Sequence, residues 1–92
     1  MQSCEVEGKI LEELPKKGGT MKNGKDWEKR EYIIETSTWY HTKMMFALYS
    51  FDGPIEKPLN VGDNVRVRFE VEARKYKDIY YNDVKATQIE ML

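Results

Sequence analysis

The run that most constrains this chain is Val65 to Arg74, where Val65, Val67, Phe69, Val71 and Ala73 alternate with Arg66, Arg68, Glu70, Glu72 and Arg74. An apolar side chain at every second position turns one face to a core and the charged face to solvent, and that period belongs to a β-strand. Arg66 and Arg68 are read as surface residues paired with neighbouring acids. The rest of the chain must therefore supply partner strands.

Four further segments do so. From Cys4 to Leu14, the residues Val6, Gly8, Ile10 and Leu14 fall on one parity with Glu5, Glu7 and Lys9 between them, and Gly8 is placed at a bulge or bend. Trp27 to Thr36 carries the strong β formers Tyr32, Ile33 and Ile34, and Ser37 to His41 is a short connection. Lys43 to Tyr49 is apolar on both parities, and Ile79 to Met91 is a last strand whose mixed phase predicts a bulge. Residues 15–26, with Pro15, Gly18-Gly19 and Asn23-Gly24, read as one long loop. Pro54 and Pro58 leave room for at most one helical turn before the turn Val61-Gly62-Asp63.

An all-β chain of five strands, with a rudimentary helical turn between strands 3 and 4, has the element order of an OB-fold Greek-key barrel, in which closure removes exposed sheet edges. An SH3-like barrel is disfavoured by the strand lengths and by the position of the proline-bearing insertion. At 92 residues the chain is the size of one domain, spanning 1–92. Tyr32, Phe46 and Phe69 are assigned to its core, while Ile33, Met45 and Tyr49 form a spare apolar face that suits either a ligand groove or a homodimer interface.

Charge is segregated. Residues 16–30 hold Lys16, Lys17, Lys22, Lys25, Lys29 and Arg30 against two carboxylates, a net +4, and residues 74–78 hold Arg74, Lys75 and Lys77 against Asp78, a net +2. The total is −1, so the remainder carries −7. A polyanion is drawn to the two basic loops and repelled elsewhere. Trp27, Trp39, Tyr40, Tyr76 and Tyr80 fall in or beside the loops and offer rings on which bases stack. For Trp27 a second reading is a plug in the barrel core. Solvated lysines on an ordinary surface are the bland alternative for the first cluster.

Three stretches carry a family resemblance: Gly24-Lys25-Asp26-Trp27 with Glu31-Tyr32, then Val61-Gly62-Asp63-Asn64-Val65, then Arg74-Lys75-Tyr76. In this order and spacing the chain resembles the bacterial single-strand DNA-binding proteins, and more closely a family of small uncharacterised bacterial OB-fold proteins related to them. The resemblance implies that Tyr76 stacks on a base and that Trp39 sits near another such position. Those proteins usually end in a flexible acidic tail that recruits partners. This chain stops at Ile89-Glu90-Met91-Leu92, which predicts no recruitment of that kind.

Nothing in the sequence calls for catalysis or a cofactor. His41 is the only histidine and lacks companions for a metal site; Glu12 and Glu13 point to opposite faces, and Glu70 and Glu72 lie among arginines. The glycines before Lys25 lack the spacing and following helix of a phosphate loop. One cysteine, Cys4, excludes an intrachain disulfide, and no basic start with an apolar run, nor any apolar stretch of about 18 residues, is present, so a cytoplasmic protein is expected. The leading expectation is a non-enzymatic binder of single-stranded DNA or RNA, its affinity falling with salt at a log–log slope of about −0.7 per phosphate neutralised. The alternative is a protein-interaction or self-association module without nucleic-acid affinity.

Overall fold

The computed structural model describes residues 4–37 and 39–92; Met1 to Ser3, read above for targeting, and Thr38 of the predicted connection lie outside the described residues. Six strands follow one another: β1 (Cys4–Glu13), β2 (Lys17–Thr20), β3 (Asp26–Thr36), β4 (Lys43–Ser50), β5 (Asn64–Tyr76) and β6 (Ile79–Met91). There is no helix among the described residues, and so none long and apolar enough to cross a membrane.

The pairings run β1-β5-β6-β4-β3 and return to β1, so five strands make a closed ring with β2 riding on the far edge of β3. All are antiparallel except the contact of β4 with β6, a single parallel pair at Ala47 and Lys85. β1 is the hinge of this ring. Its residues Gly8 and Lys9 pair on one edge with Thr36 and Glu35 and on the other with Val65 and Asn64. A Cβ on Gly8 would collide with the Glu35 carbonyl oxygen and come within 3.0 Å of Ile34 Cγ1. Gly8 is thus a position of close backbone approach, and the bulge expected there falls instead at Leu11, between the pairs of Ile10 and Glu12. The bulge expected in the last strand is present: Arg68 faces Gln88 and Phe69 faces Ala86, leaving Thr87 over.

The inward parities meet in the middle of the ring. Ile10, Tyr32, Ile34, Phe46, Leu59, Val65, Val67 and Phe69 are buried together, with Val6, Met44, Leu48, Val84, Ala86 and Ile89 packed on them. Tyr32 and Phe46 face each other with ring centroids 5.7 Å apart. On the outward side of β5, Arg66 pairs with Glu7 and Glu90, and Arg68 with Glu5, as the alternation implies.

The helical turn expected between β4 and β5 does not form. Proline at 54 and 58 removes two backbone donors and restricts the residue before each, and the segment is instead pinned by side chains from β3. Glu28 accepts the Ile55 N–H at 2.6 Å, and the Tyr32 hydroxyl accepts the Leu59 N–H at 3.2 Å. The Ile55 bond first, with Arg30 and Lys16 adding to it against the cost of burial, holds the Glu28 carboxyl below its ordinary value. The segment ends in a turn in which the Asp63 N–H reaches the Asn60 carbonyl at 3.0 Å and Gly62 takes φ 97°, the left-handed position of a type II turn.

The long loop expected at 15–26 is also different: β2 forms within it. Gly18 and Gly19 pair with Glu28 and Trp27 of β3, and the turn contracts to residues 21–25. Glycines that read as loop residues in the sequence serve a sheet. The Trp27 indole lies against Gly19, where a Cβ would stand 2.9 Å from its Nε1, so the ring covers the strand that a side chain would displace. Thr20 Oγ1 donates to Asp26 Oδ1 at 2.8 Å and closes the neck of the hairpin.

Candidate nucleic-acid interface

Strand alternation sends Trp27, Lys29, Glu31 and Ile33 of β3 to the outer surface, and cross-strand register sets Lys29 beside Tyr49, Glu31 beside Ala47 and Ile33 beside Met45 of β4. β6 then crosses β4 at Ala47. Although Ala47 points outward it is buried, because Lys85 lies directly opposite it. The crossing carries Lys85 and Asp83 alongside Tyr49, and the register of β5 with β6 adds Glu72 opposite Asp83 and Arg74 opposite Tyr81.

The product is a groove of about 260 Å³ lined by Lys29, Tyr49, Phe51, Arg74, Asp83 and Lys85. Its floor is aromatic. Tyr49 and Phe51 stack with centroids 5.9 Å apart and planes within 8°. Lys29 and Lys85 lie over the Tyr49 ring at 5.5 and 5.8 Å, and Arg74 lies over Tyr81 at 5.0 Å. The hydrogen bond to Glu72 and the charge beside it keep the Lys85 ammonium above its ordinary value, so it stays protonated at any physiological pH. Two flat rings ringed by three cations suit stacked bases with phosphates at their edges. Among the described residues no cluster of His, Cys, Asp and Glu could hold a metal ion.

The two basic clusters meet here through one member each, Lys29 and Arg74. Lys17 lies across β2 from Lys29 on the same surface, and both reach Glu31. Trp27 shares that surface half-buried over Gly19 and so is not a core plug. Tyr76, 56% exposed, shares a face of the β5–β6 arm with Arg74. Other expected residues go elsewhere. Lys16 turns to Glu28 under the 51–60 segment, and Lys22 and Lys25 sit at the hairpin turn, Lys25 paired with Asp52. Lys75 and Tyr80 face each other on the far side of the arm, 5.7 Å apart, and Lys77 folds over Tyr76. Trp39 and Tyr40 are 90% and 81% exposed in the connection at the other end of β3 and β4, apart from the groove.

Residues 5–90 match the model of a domain of unknown function, DUF3127. The chain belongs to this family. No curated protein matches it. Two solved structures share its shape. One is the solution NMR structure of the second OB-fold domain of replication protein A from Methanococcus maripaludis, 14% identical, with a TM-score of 0.67 over 99% of this chain and 84% of that one. The other is the crystal structure of the small single-stranded DNA-binding protein from Streptomyces coelicolor, also 14% identical, with a TM-score of 0.53 over 98% of this chain and 93% of that one. At such identity the likeness establishes fold, and this DUF3127 chain is an OB fold; the resemblance to single-strand binders read in the sequence is borne out at that level.

Within the DUF3127 chain, sequence reasoning did not single out Phe51, Tyr81, Asp83 or Lys85 at the groove, and it placed Tyr49 on an apolar face open to either a ligand groove or a dimer interface. The Tyr49-Ser50-Phe51 spacing, two rings on one parity at a strand end, was the available signal. No local pattern marks Lys85, whose position depends on the crossing of β6.

Proposed function

We propose that the chain binds single-stranded nucleic acid, DNA in the first instance, without chemistry and largely without regard to sequence. The observation that carries this reading is the stacked Tyr49–Phe51 pair set among Lys29, Arg74 and Lys85. A ring accepts any base, at about 1–3 kcal/mol per stacked base. In this reading the ring of strands works as an OB barrel, with the β2–β3 hairpin and the β5–β6 arm flanking the ligand face as the loops of that fold do. The likeness to a small single-stranded DNA-binding protein supports it. The exposed free thiol of Cys4 suits a reducing, cytoplasmic setting.

Fluorescence anisotropy with labelled oligothymidine at low salt tests the reading. Wild type should bind, and Lys29→Ala with Arg74→Ala should weaken binding; an absence of binding at low salt ends the idea. A second reading, self-association, is supported by Met45, which stands 49% exposed beside Ile33 on the outer face. Without nucleic-acid affinity, this reading predicts a dimer by sedimentation that Met45→Glu turns into a monomer, together with no binding in the oligothymidine titration.

A further inference from the structure

Every cation lining the groove is already held by a carboxylate. Arg74 Nε meets Asp83 Oδ2 at 2.8 Å, Lys85 Nζ meets Glu72 Oε2 at 3.2 Å, and Glu31 takes Lys17 at 3.4 Å and Lys29 at 3.9 Å. In the two basic clusters, among the described residues, only Lys22 and Lys77 have no carboxylate within 4.0 Å.

The register makes this arrangement more than incidental surface pairing. Glu72 stands directly opposite Asp83 in the β5–β6 ladder, and Lys17 directly opposite Lys29 in the β2–β3 ladder. Like charges facing each other across strands repel and are tolerated only where opposite charge brackets them. Here Arg74 and Lys85 bracket the two acids, and Glu31 bridges the two lysines. The groove therefore alternates sign across four strands, with four cations interleaved by three carboxylates.

We propose that Glu31, Glu72 and Asp83 are specificity residues occupying the phosphate-facing positions of the groove, so that the site selects unpaired nucleobases by stacking and rejects ligands that offer phosphates without free bases. This rests on the single-strand reading above. A phosphate that enters must displace a carboxylate, exchanging one charge-assisted bond for another, and the displaced acid stays close enough to repel it. A duplex presents that phosphate rail with its base faces buried, so it gains nothing from Tyr49 and Phe51 and meets the acids. A cation neutralised by its own protein also releases few bound ions from the nucleic acid, so the salt dependence is shallower than the number of basic residues implies.

The test is a titration of oligothymidine, an abasic oligomer of equal length and a duplex, at several salt concentrations, with wild type, E72Q/D83N and E31Q. For wild type the salt slope on oligothymidine is expected to be no steeper than about −1.4, the ceiling set by the two unpaired cations of the clusters, Lys22 and Lys77. The abasic oligomer and the duplex are expected to bind at least about tenfold more weakly than oligothymidine. E72Q/D83N frees Arg74 and Lys85, which should steepen the slope by about 1.4 and raise affinity for the abasic oligomer about tenfold. E31Q repeats the test from a different strand and answers the question if the double variant does not fold. A wild-type slope of about −3 or steeper, or a folded variant that leaves slope and abasic affinity unchanged, overturns the proposal while oligothymidine binding stands. Failure of wild type and both variants to bind any oligomer removes the single-strand reading itself.

Discussion

Replacing Tyr49 by alanine isolates the groove from every other aromatic on the surface. The ring lies parallel to Phe51 at 5.9 Å and under Lys29 and Lys85, so its removal deletes one stacking platform and frees the second to turn away. Loss of about 1–3 kcal/mol for one stacked base raises Kd roughly 5- to 150-fold. Tyr49→Phe keeps the ring and should bind within about twofold of wild type, since the base contacts the face and not the hydroxyl. Tyr49 is half-buried outside the main core, so both variants should stay folded. Trp39→Ala and Tyr40→Ala are the contrast. From the Lys29–Tyr49 row to the Glu35–Lys43 row is six residues along β3, roughly 20 Å at the rise of a strand, and the two rings lie beyond it. An oligothymidine of about three nucleotides occupying the groove leaves them uncovered, and their loss should change Kd for it by less than about twofold. Anisotropy on the four variants decides the matter. Wild-type affinity in Tyr49→Ala with a large loss in Trp39→Ala would refute the groove and move the ligand to the β3–β4 connection.

The scaffold carries three further expectations. Tyr32→Phe leaves the Leu59 N–H without its 3.2 Å acceptor in a buried position and should cost about 1–3 kcal/mol in urea denaturation; an unchanged midpoint would mean that the hydroxyl is not needed there. Gly8→Ala drives a methyl into the Glu35 carbonyl where β1 joins both neighbours, and a loss of about 3 kcal/mol or more in thermal unfolding is expected, against near-neutrality if β1 can simply shift. Glu28 holds its carboxyl low chiefly through the Ile55 N–H, so the native state resists protonation more than the unfolded chain does. The stability it contributes is present above the unfolded-state value and is lost as pH falls through that value and then the depressed native one. Glu28→Gln should therefore flatten the acid limb of the stability curve and speed hydrogen exchange at Ile55, and an acid limb identical to wild type would contradict the assignment.

Much of the fold was legible because one face of β1, β3, β4 and the first half of β5 is buried, and burial at period two leaves a strong mark. Val65 to Phe69 shows it plainly, and the surplus residue in the last strand declared itself as broken phase before Thr87 could be assigned. Two elements were misread for a common reason: their backbone is satisfied by groups distant in sequence. Gly18 and Gly19 look like loop residues until Trp27 is folded over them, since nothing local says that a ring will supply the missing side chain. The 51–60 segment has prolines that permit one helical turn, but Glu28 and Tyr32, 27 residues back, take its amides instead.

The candidate groove was half legible, and the division follows the topology. Basic residues cluster along the chain because hairpin ends are local, so Lys29 and Arg74 could be nominated from charge alone. Which cations reach the rings is set by which strands become neighbours, and β4 and β6 become neighbours through a single pair. That pair, Ala47 with Lys85, sets β6 alongside β4, and it is what brings Lys85 and Asp83 beside Tyr49. Counting lysines along the sequence also overstates the free positive charge, because Asp83 and Glu72 meet Arg74 and Lys85 through the β5–β6 register and Glu31 stands two residues along β3 from Lys29. A net charge of +4 in one loop and +2 in another is a statement about the chain; once the strands close, each cation lining the groove stands beside a carboxylate.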